Sequence, residues 1–284
     1  MEPKPTDRLS VNQFMAAETS FADLLDWSER RQVTGIGVLR STVDKFGTAT
    51  VRSMLADHGV TPTSLCVFLG LVHPEASVRR TLLTDAAKAL DDAREIGAPL
   101  VVVAGGPSPG LPLAEAKAQF VDQLLALDGY AAANGGELLL EPLNPAAVHL
   151  SCLTSLAESI SVLETCRATG LVIDFWHSWT DPDLHAVLET HANRLSVVHV
   201  SDWPLDPVVA FQREIPGRGL IDLTNLVAAL RRAGFAGWWE LEVFAETEYT
   251  PRGDGALLTA SLEGLRTALA DTGGTAFVDS EGAH

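Results

Sequence analysis

The chain is expected to fold as one closed (β/α)8 barrel, an α/β architecture, on three observations. Eight short β-rich runs recur along it, amphipathic helical stretches lie between them, and 284 residues suit the ~250 that eight such units take. The rival, an open doubly wound sheet, should carry a glycine-rich phosphate turn after an early strand. Neither GxGxxG nor GxxxxGK(S/T) occurs.

The strands follow in order. The first four are "LSVN" (9–12), "GIGVL" (35–39), "TSLCVFL" (63–69) and "LVVVA" (100–104). "ELLLE" (137–141), "LVID" (171–174), "LSVVHV" (195–200) and "WWELEV" (238–243) complete the eight. Between them, "SFADLLDWSERRQ", "SVRRTLLTDAAKALDDAREIG" and "IDLTNLVAALRRAG" read as helices. The first opens on a capping pattern, Ser20 followed by Asp23. Gly59, Gly97, Gly135, Gly170 and Gly234 read as left-handed helix stops. "AGGPSPG" after the fourth run is a loop, because its prolines do not suit a helix start. Residues 1–272 are assigned to the barrel and "GGTAFVDSEGAH" (273–284) to a flexible C-terminal tail.

Composition narrows the partners. A net charge of −17 repels phosphate backbones and acidic membrane surfaces, so neither nucleic acid nor membrane is expected as a partner. The polar start "MEPKPTDRLS" has no secretory apolar core, and no apolar run approaches the ~20 residues of a membrane span. Cys66, Cys152 and Cys166 are odd in number and unpatterned, which suits a reducing, cytoplasmic setting. Exposed barrel helices leave pairing into a homo-oligomer open.

Chemistry in a (β/α)8 barrel sits where strands end. Glu141 closes the fifth run and Asp174 the sixth, while His199 and Glu242 each lie one residue from the end of the seventh and the eighth. Side-chain alternation aligns Leu139 with Glu141, Val172 with Asp174 and Val197 with His199. Taken singly, an Asp after a strand is commonly a helix cap, and a His near a strand end is commonly a packed core residue. Four such residues on consecutive or closing strands instead form a site. Three crowded carboxylates call for a compensating cation, so Glu141, Asp174, His199 and Glu242 are the expected ligands of one divalent ion. Three hard oxygens and one imidazole favour Mn2+, Mg2+ or Co2+ and accommodate Zn2+. Glu240 shares a face with Glu242 and is the alternative ligand. Glu242 is preferred because it stands at the last inward position, as the other three do.

These residues carry a resemblance. "LLLEPLNP", "IDFWHSW", "VVHVSDW", "REIPGRGLIDL" and "GWWELEVF", with "GIGVLRSTVDKFG" and "GVTPTSLCVFLG" earlier, are similar to motifs of the sugar phosphate isomerase/epimerase family, the xylose-isomerase-like TIM barrels. The resemblance covers most of the chain. It implies one divalent metal on Glu141, Asp174, His199 and Glu242, and a substrate contact from His177 of the Asp-x-x-His pair. It implies a sugar or polyol-like substrate whose α-proton is taken to give a metal-stabilised enediolate, with Glu141 and Glu242 as bases on opposite faces. Two such bases epimerise, whereas one base shuttling between carbons isomerises. A β-leaving group would make the same site a lyase or dehydratase, with His177 as its acid.

Further substrate contacts are read at His73 in "GLVHPEA", which either reaches the substrate or packs, at Trp176 with Trp179 and Trp203, which either wall a pocket or pack loops on the barrel, and at Arg213. The family's Arg after the seventh strand is replaced here by Leu205 and Asp206, so Arg213, or else Arg218, stands in for it. No phosphate cradle is visible. An endonuclease IV-type hydrolase would need further histidines that "VVVAGGPSPG" and "DPV" do not supply. A metal-free binding barrel is the remaining alternative.

Overall fold

Eight parallel strands close in chain order in the computed structural model, which describes residues 8–16, 19–244 and 254–271. They are β1 (Arg8–Asn12), β2 (Gly35–Leu39), β3 (Thr61–Leu69), β4 (Leu100–Val103), β5 (Leu138–Leu140), β6 (Thr169–Asp174), β7 (Leu195–Val200) and β8 (Trp238–Leu241). β8 pairs back onto β1, which leaves no open edge. Every run read as a strand is one, and the differences are confined to strand ends.

The covering helices are α1 (Phe21–Arg31), α2 (Arg40–Phe46), α3 (Thr48–Asp57), α4 (Ala76–Ile96), α5 (Leu113–Asn134) and α6 (Leu156–Leu163). A short α7 (Phe175–Ser178), then α8 (Leu184–Thr190), α9 (Leu223–Arg232) and α10 (Asp254–Asp271) complete them. Ser20 caps α1 as expected, its Oγ accepting the Asp23 N–H at 3.1 Å. Gly97 and Gly135 end α4 and α5 in the left-handed region, at φ 86° and 71°. Gly170 does not end a helix. It lies inside β6, where a Cβ would sit 3.0 Å from both Arg194 O and Leu139 Cδ2. The 273–284 tail lies outside the described residues.

Strand alternation divides the core in two. Ile36, Val38, Val102, Leu140, Ile173, Val198 and Leu241 join the large cluster under the helices. Val101, Leu139, Val172 and Val197, with Cys66, form a small cluster within the barrel. Each buried aliphatic side chain contributes about 1.5–3 kcal/mol, so the outer cluster carries most of the stability. The interior can therefore hold polar groups. Ser10, Asn12, Thr63 and Glu240 occupy it on β1, β3 and β8, all buried. Between β1 and β3, β2 has Gly35, where a Cβ would meet Thr63 and Trp238 atoms at 2.7 Å.

Candidate active site

The four rim residues converge. Asp174 ends β6 and stands in register with His199 on β7. Glu141 and Glu242 lie one residue past β5 and β8, and each extends the ladder through its own N–H. Glu141 N donates to Val102 O and Glu242 N to Val200 O, both at 3.1 Å. One possible ligand atom from each of the four lies within 4.8 Å of the others. His199 Nδ1 is 3.0 Å from Glu141 Oε1 and 3.1 Å from Glu242 Oε2. Asp174 and His199 are 0% exposed, Glu242 5% and Glu141 7%, so the two glutamates are the less deeply buried pair.

Arg213 enters this cluster from the loop after β7. Its Nη2 donates to Asp174 Oδ2 at 2.7 Å and lies 3.3 Å from Glu242 Oε2. Nη1 donates to Ser201 Oγ at 3.0 Å and to Glu242 O at 3.2 Å. The guanidinium also lies over the rings of Phe244 and Trp176, 4.5 and 5.1 Å from their centroids.

These neighbours set the charges. Burial pushes the Asp174 carboxyl up, but Arg213, with His177 and His199, outweighs it and holds the group down at about 2. Burial raises Glu141, and the nearby His199 only partly offsets it. Burial would lower His199, yet Glu242 and Glu141 hold it well above the usual histidine value.

His177 is placed beside the cluster, its Nε2 3.9 Å from Asp174 Oδ2. Burial lowers it to about 4, against the pull of Asp174, so the ring is neutral near pH 7. Its Nδ1 accepts the Asn144 N–H at 3.1 Å, which leaves the ring hydrogen on Nε2, on the Asp174 side. His177 is thus a neutral donor. Trp176 lies behind it, 3% exposed, with its indole N–H given to Gln212 O at 2.9 Å. Trp176 stacks on Trp203 at 4.7 Å between centroids. Trp176, Trp203, Phe211, His149, Val208 and Asn144 border a pocket of about 480 Å³ at the rim.

The other sequence candidates fall elsewhere. His73 sits in the loop after β3, and its Nδ1 accepts the Glu75 N–H at 3.1 Å just ahead of α4. No described contact joins it to the cluster. Arg218 lines a separate pocket against α10.

Sequence reasoning missed two supports. Asp202 binds the loop that delivers Arg213: Oδ1 accepts from Trp203 and Ile221 N–H at 2.8 and 2.9 Å, and Oδ2 from Gly217 and Gly219 N–H at 2.9 Å each. Asn144 presents its backbone to His177 while its side chain accepts the Ala147 N–H at 3.2 Å. "SDW" after β7, an Asp followed by a glycine-bearing "PGRG", was the available signal for the first.

Fold and site together define a (β/α)8 barrel whose C-terminal rim gathers three carboxylates and an imidazole. The chain belongs to the xylose isomerase-like TIM barrel family, whose pattern it matches over residues 20–268. Among curated proteins it is 29% identical over 210 residues to a provisionally named hydroxypyruvate isomerase of Streptomyces coelicolor, spanning 68% of this chain and 72% of that one. Among solved structures, protein SMc04130 of Sinorhizobium meliloti 1021 matches at TM-score 0.86 and 28% identity over 92% of this chain and 98% of that one. A zinc-bound IOLI protein matches at TM-score 0.80 and 18% identity over 93% and 99%. Sugar epimerases also share the fold: D-psicose 3-epimerase of Clostridium cellulolyticum H10, and 3-keto-D-glucoside 4-epimerase of E. coli.

Proposed function

We propose that the chain is a divalent-metal-dependent isomerase or epimerase acting on a small sugar or polyol-like hydroxy-ketone by α-proton transfer. The observation that carries this reading is the charge balance of the cluster. Glu141, Asp174 and Glu242 face one guanidinium, and with His199 neutral, as a ligand must be, a cation with two charges balances the remainder. The donor set fits: hard oxygens and one imidazole suit Mn2+, Mg2+ or Co2+ and accept Zn2+. Glu141, Asp174, His199 and Glu242 would hold the ion, which when bound supplies Lewis-acid polarisation of the substrate's oxygens.

The chain's own residues do the rest. Glu141 and Glu242 come from the ends of β5 and β8, three strands apart round the barrel, and are the least buried carboxylates of the cluster. One takes the proton from the carbon beside the carbonyl, and the other returns it. His177 donates a neutral Nε2–H to a substrate oxygen, Arg213 braces Asp174 and Glu242 against the substrate's approach, and Trp176 walls the site. Elimination would ask His177 to give up a proton to a leaving group. Burial holds its imidazole neutral, which favours proton return over a lyase reaction. The name of the S. coelicolor relative points to a small hydroxy-carbonyl acid, and those of the epimerases to larger ketoses. A cytoplasmic location suits three cysteines that are buried and unpaired, and no described helix is long and apolar enough to cross a membrane.

Metal analysis tests this directly. Purified protein should carry about one equivalent of divalent ion, and EDTA should strip it along with activity. Protein that takes up none of Mn2+, Co2+, Mg2+ or Zn2+ would overturn the reading.

A further inference from the structure

A fourth carboxylate lies beneath the cluster, and the barrel is built around it. Glu240 is 0% exposed on β8. An ionised carboxylate in such a place is costly unless its oxygens are paired. Here they are. Oε2 accepts from Ser10 Oγ at 2.7 Å and from the Thr63 hydroxyl, and Oε1 accepts from Asn12 Nδ2 at 3.0 Å. Gly37 on β2 keeps the space open, since a Cβ there would press on Glu240 Oε1 and stand 2.9 Å from Ser64 Oγ. Three other strands therefore accommodate this one side chain. A leucine would fill the volume but leave Ser10, Thr63 and Asn12 without their acceptor.

What the carboxylate faces above it explains its place. His199 Nε2 lies 3.3 Å from Glu240 Oε1, and no aligned hydrogen bond yet satisfies that buried nitrogen. The ring's other nitrogen, Nδ1, faces Glu141 and Glu242. A ring nitrogen can bind a cation only through a free lone pair, so the ring hydrogen must reside on the opposite nitrogen. We propose that Glu240 is a positioning residue, which holds the His199 hydrogen on Nε2 and so turns the Nδ1 lone pair into the Glu141–Asp174–Glu242 cluster. This rests on the reading that the cluster holds a divalent ion. Cys66, His199 and Glu240 also lie close enough to suggest a second cation site. The Glu240 oxygens already serve three donors, however, and Asn12 Nδ2 also donates to Cys66 Sγ at 3.4 Å.

Two measurements decide it. Co2+ titrations compare wild type with Glu240→Gln, which keeps the shape but not the charge, each checked for folding by circular dichroism. The variant should bind Co2+ ~10–100-fold more weakly and show an altered visible spectrum. Binding and spectrum equal to wild type would overturn the inference. Should the variant misfold, 15N NMR of Zn2+-loaded wild type decides alone. Nδ1 is expected as the coordinated nitrogen with a slowly exchanging hydrogen on Nε2, and coordination through Nε2 would overturn it. Failure of wild type itself to bind either ion would instead overturn the metal reading above.

Discussion

Asp174 divides two tasks between its oxygens. Oδ1 accepts the Trp176 N–H at 2.8 Å and starts α7, while Oδ2 takes the Arg213 guanidinium at 2.7 Å. The helix-cap reading of this residue is therefore met, and the same carboxylate also stands in the rim cluster. Glu141 and Glu242 have no such capping duties, in keeping with the proton transfer proposed for them. Glu141→Gln or Glu242→Gln keeps the volume and one oxygen but removes the base, and should slow turnover ~10²–10⁴-fold while the protein stays folded. Turnover within a few-fold of wild type in both variants would move the chemistry to other residues. His177 gives a pH test with a definite sign. Its folded value lies at about 4, below the ordinary 6.5. Between these values the unfolded chain binds a proton that the folded protein refuses, so stability falls as pH drops through 6.5 toward 4 and is unaffected above it. His177→Asn removes that loss. From pH 7 to pH 5, urea unfolding should show the wild type losing on the order of 1–2 kcal/mol more than the variant. Equal losses would mean that the imidazole takes up its proton normally.

At the scale of elements, the loop from β7 to α9 decides whether Arg213 reaches the cluster. Asp202 gathers four of its N–H groups, and the Asp202–Glu214 bridge closes it with bonds of 2.8 and 2.9 Å. Gly219 packs against this knot: a Cβ would collide with the Trp203 carbonyl and lie 2.6 Å from Asp202 Cγ. Gly219→Ala should cost ~1–3 kcal/mol by overpacking and, by displacing Arg213, raise KM for the substrate. Urea midpoints and steady-state kinetics check it, and an unchanged midpoint with an unchanged KM would contradict it. Little of this was legible in the sequence. The strands were, because buried parallel strands are written as short apolar runs, and the four rim residues were, because each stands at or near the end of one. Arg213 arrives through a loop whose path is set by backbone bonds to Asp202, and no periodicity records such bonds. The Gly170 misreading has the same origin, since a glycine that admits a close neighbour inside a strand looks in sequence like one that ends a helix.

Across the whole molecule, the barrel sets apolar packing outside its strands against a polar centre within. Glu240 with Ser10 and Asn12 joins residues more than two hundred positions apart, a pairing that only closure of β8 onto β1 creates. The sequence placed Glu240 and Glu242 on one face and favoured Glu242 over Glu240 for the cluster only from its position nearer the strand end. In the closed barrel Glu242 reaches the group at the rim, and Glu240 lies below it under His199. The same closure brings Glu141 and Glu242 to one opening from β5 and β8. The joint action proposed for them on a carbon-bound proton is best tested by isotope exchange. Metal-loaded protein is incubated in D2O with hydroxypyruvate and with ketohexoses, and deuterium in the recovered sugars and acids is located by mass spectrometry and NMR. The expected result is deuterium at the carbon beside the carbonyl of at least one substrate, lost after EDTA and restored by Mn2+ or Co2+. Conversion of a substrate with no solvent deuterium incorporated, or exchange that persists undiminished in metal-free protein, would contradict it.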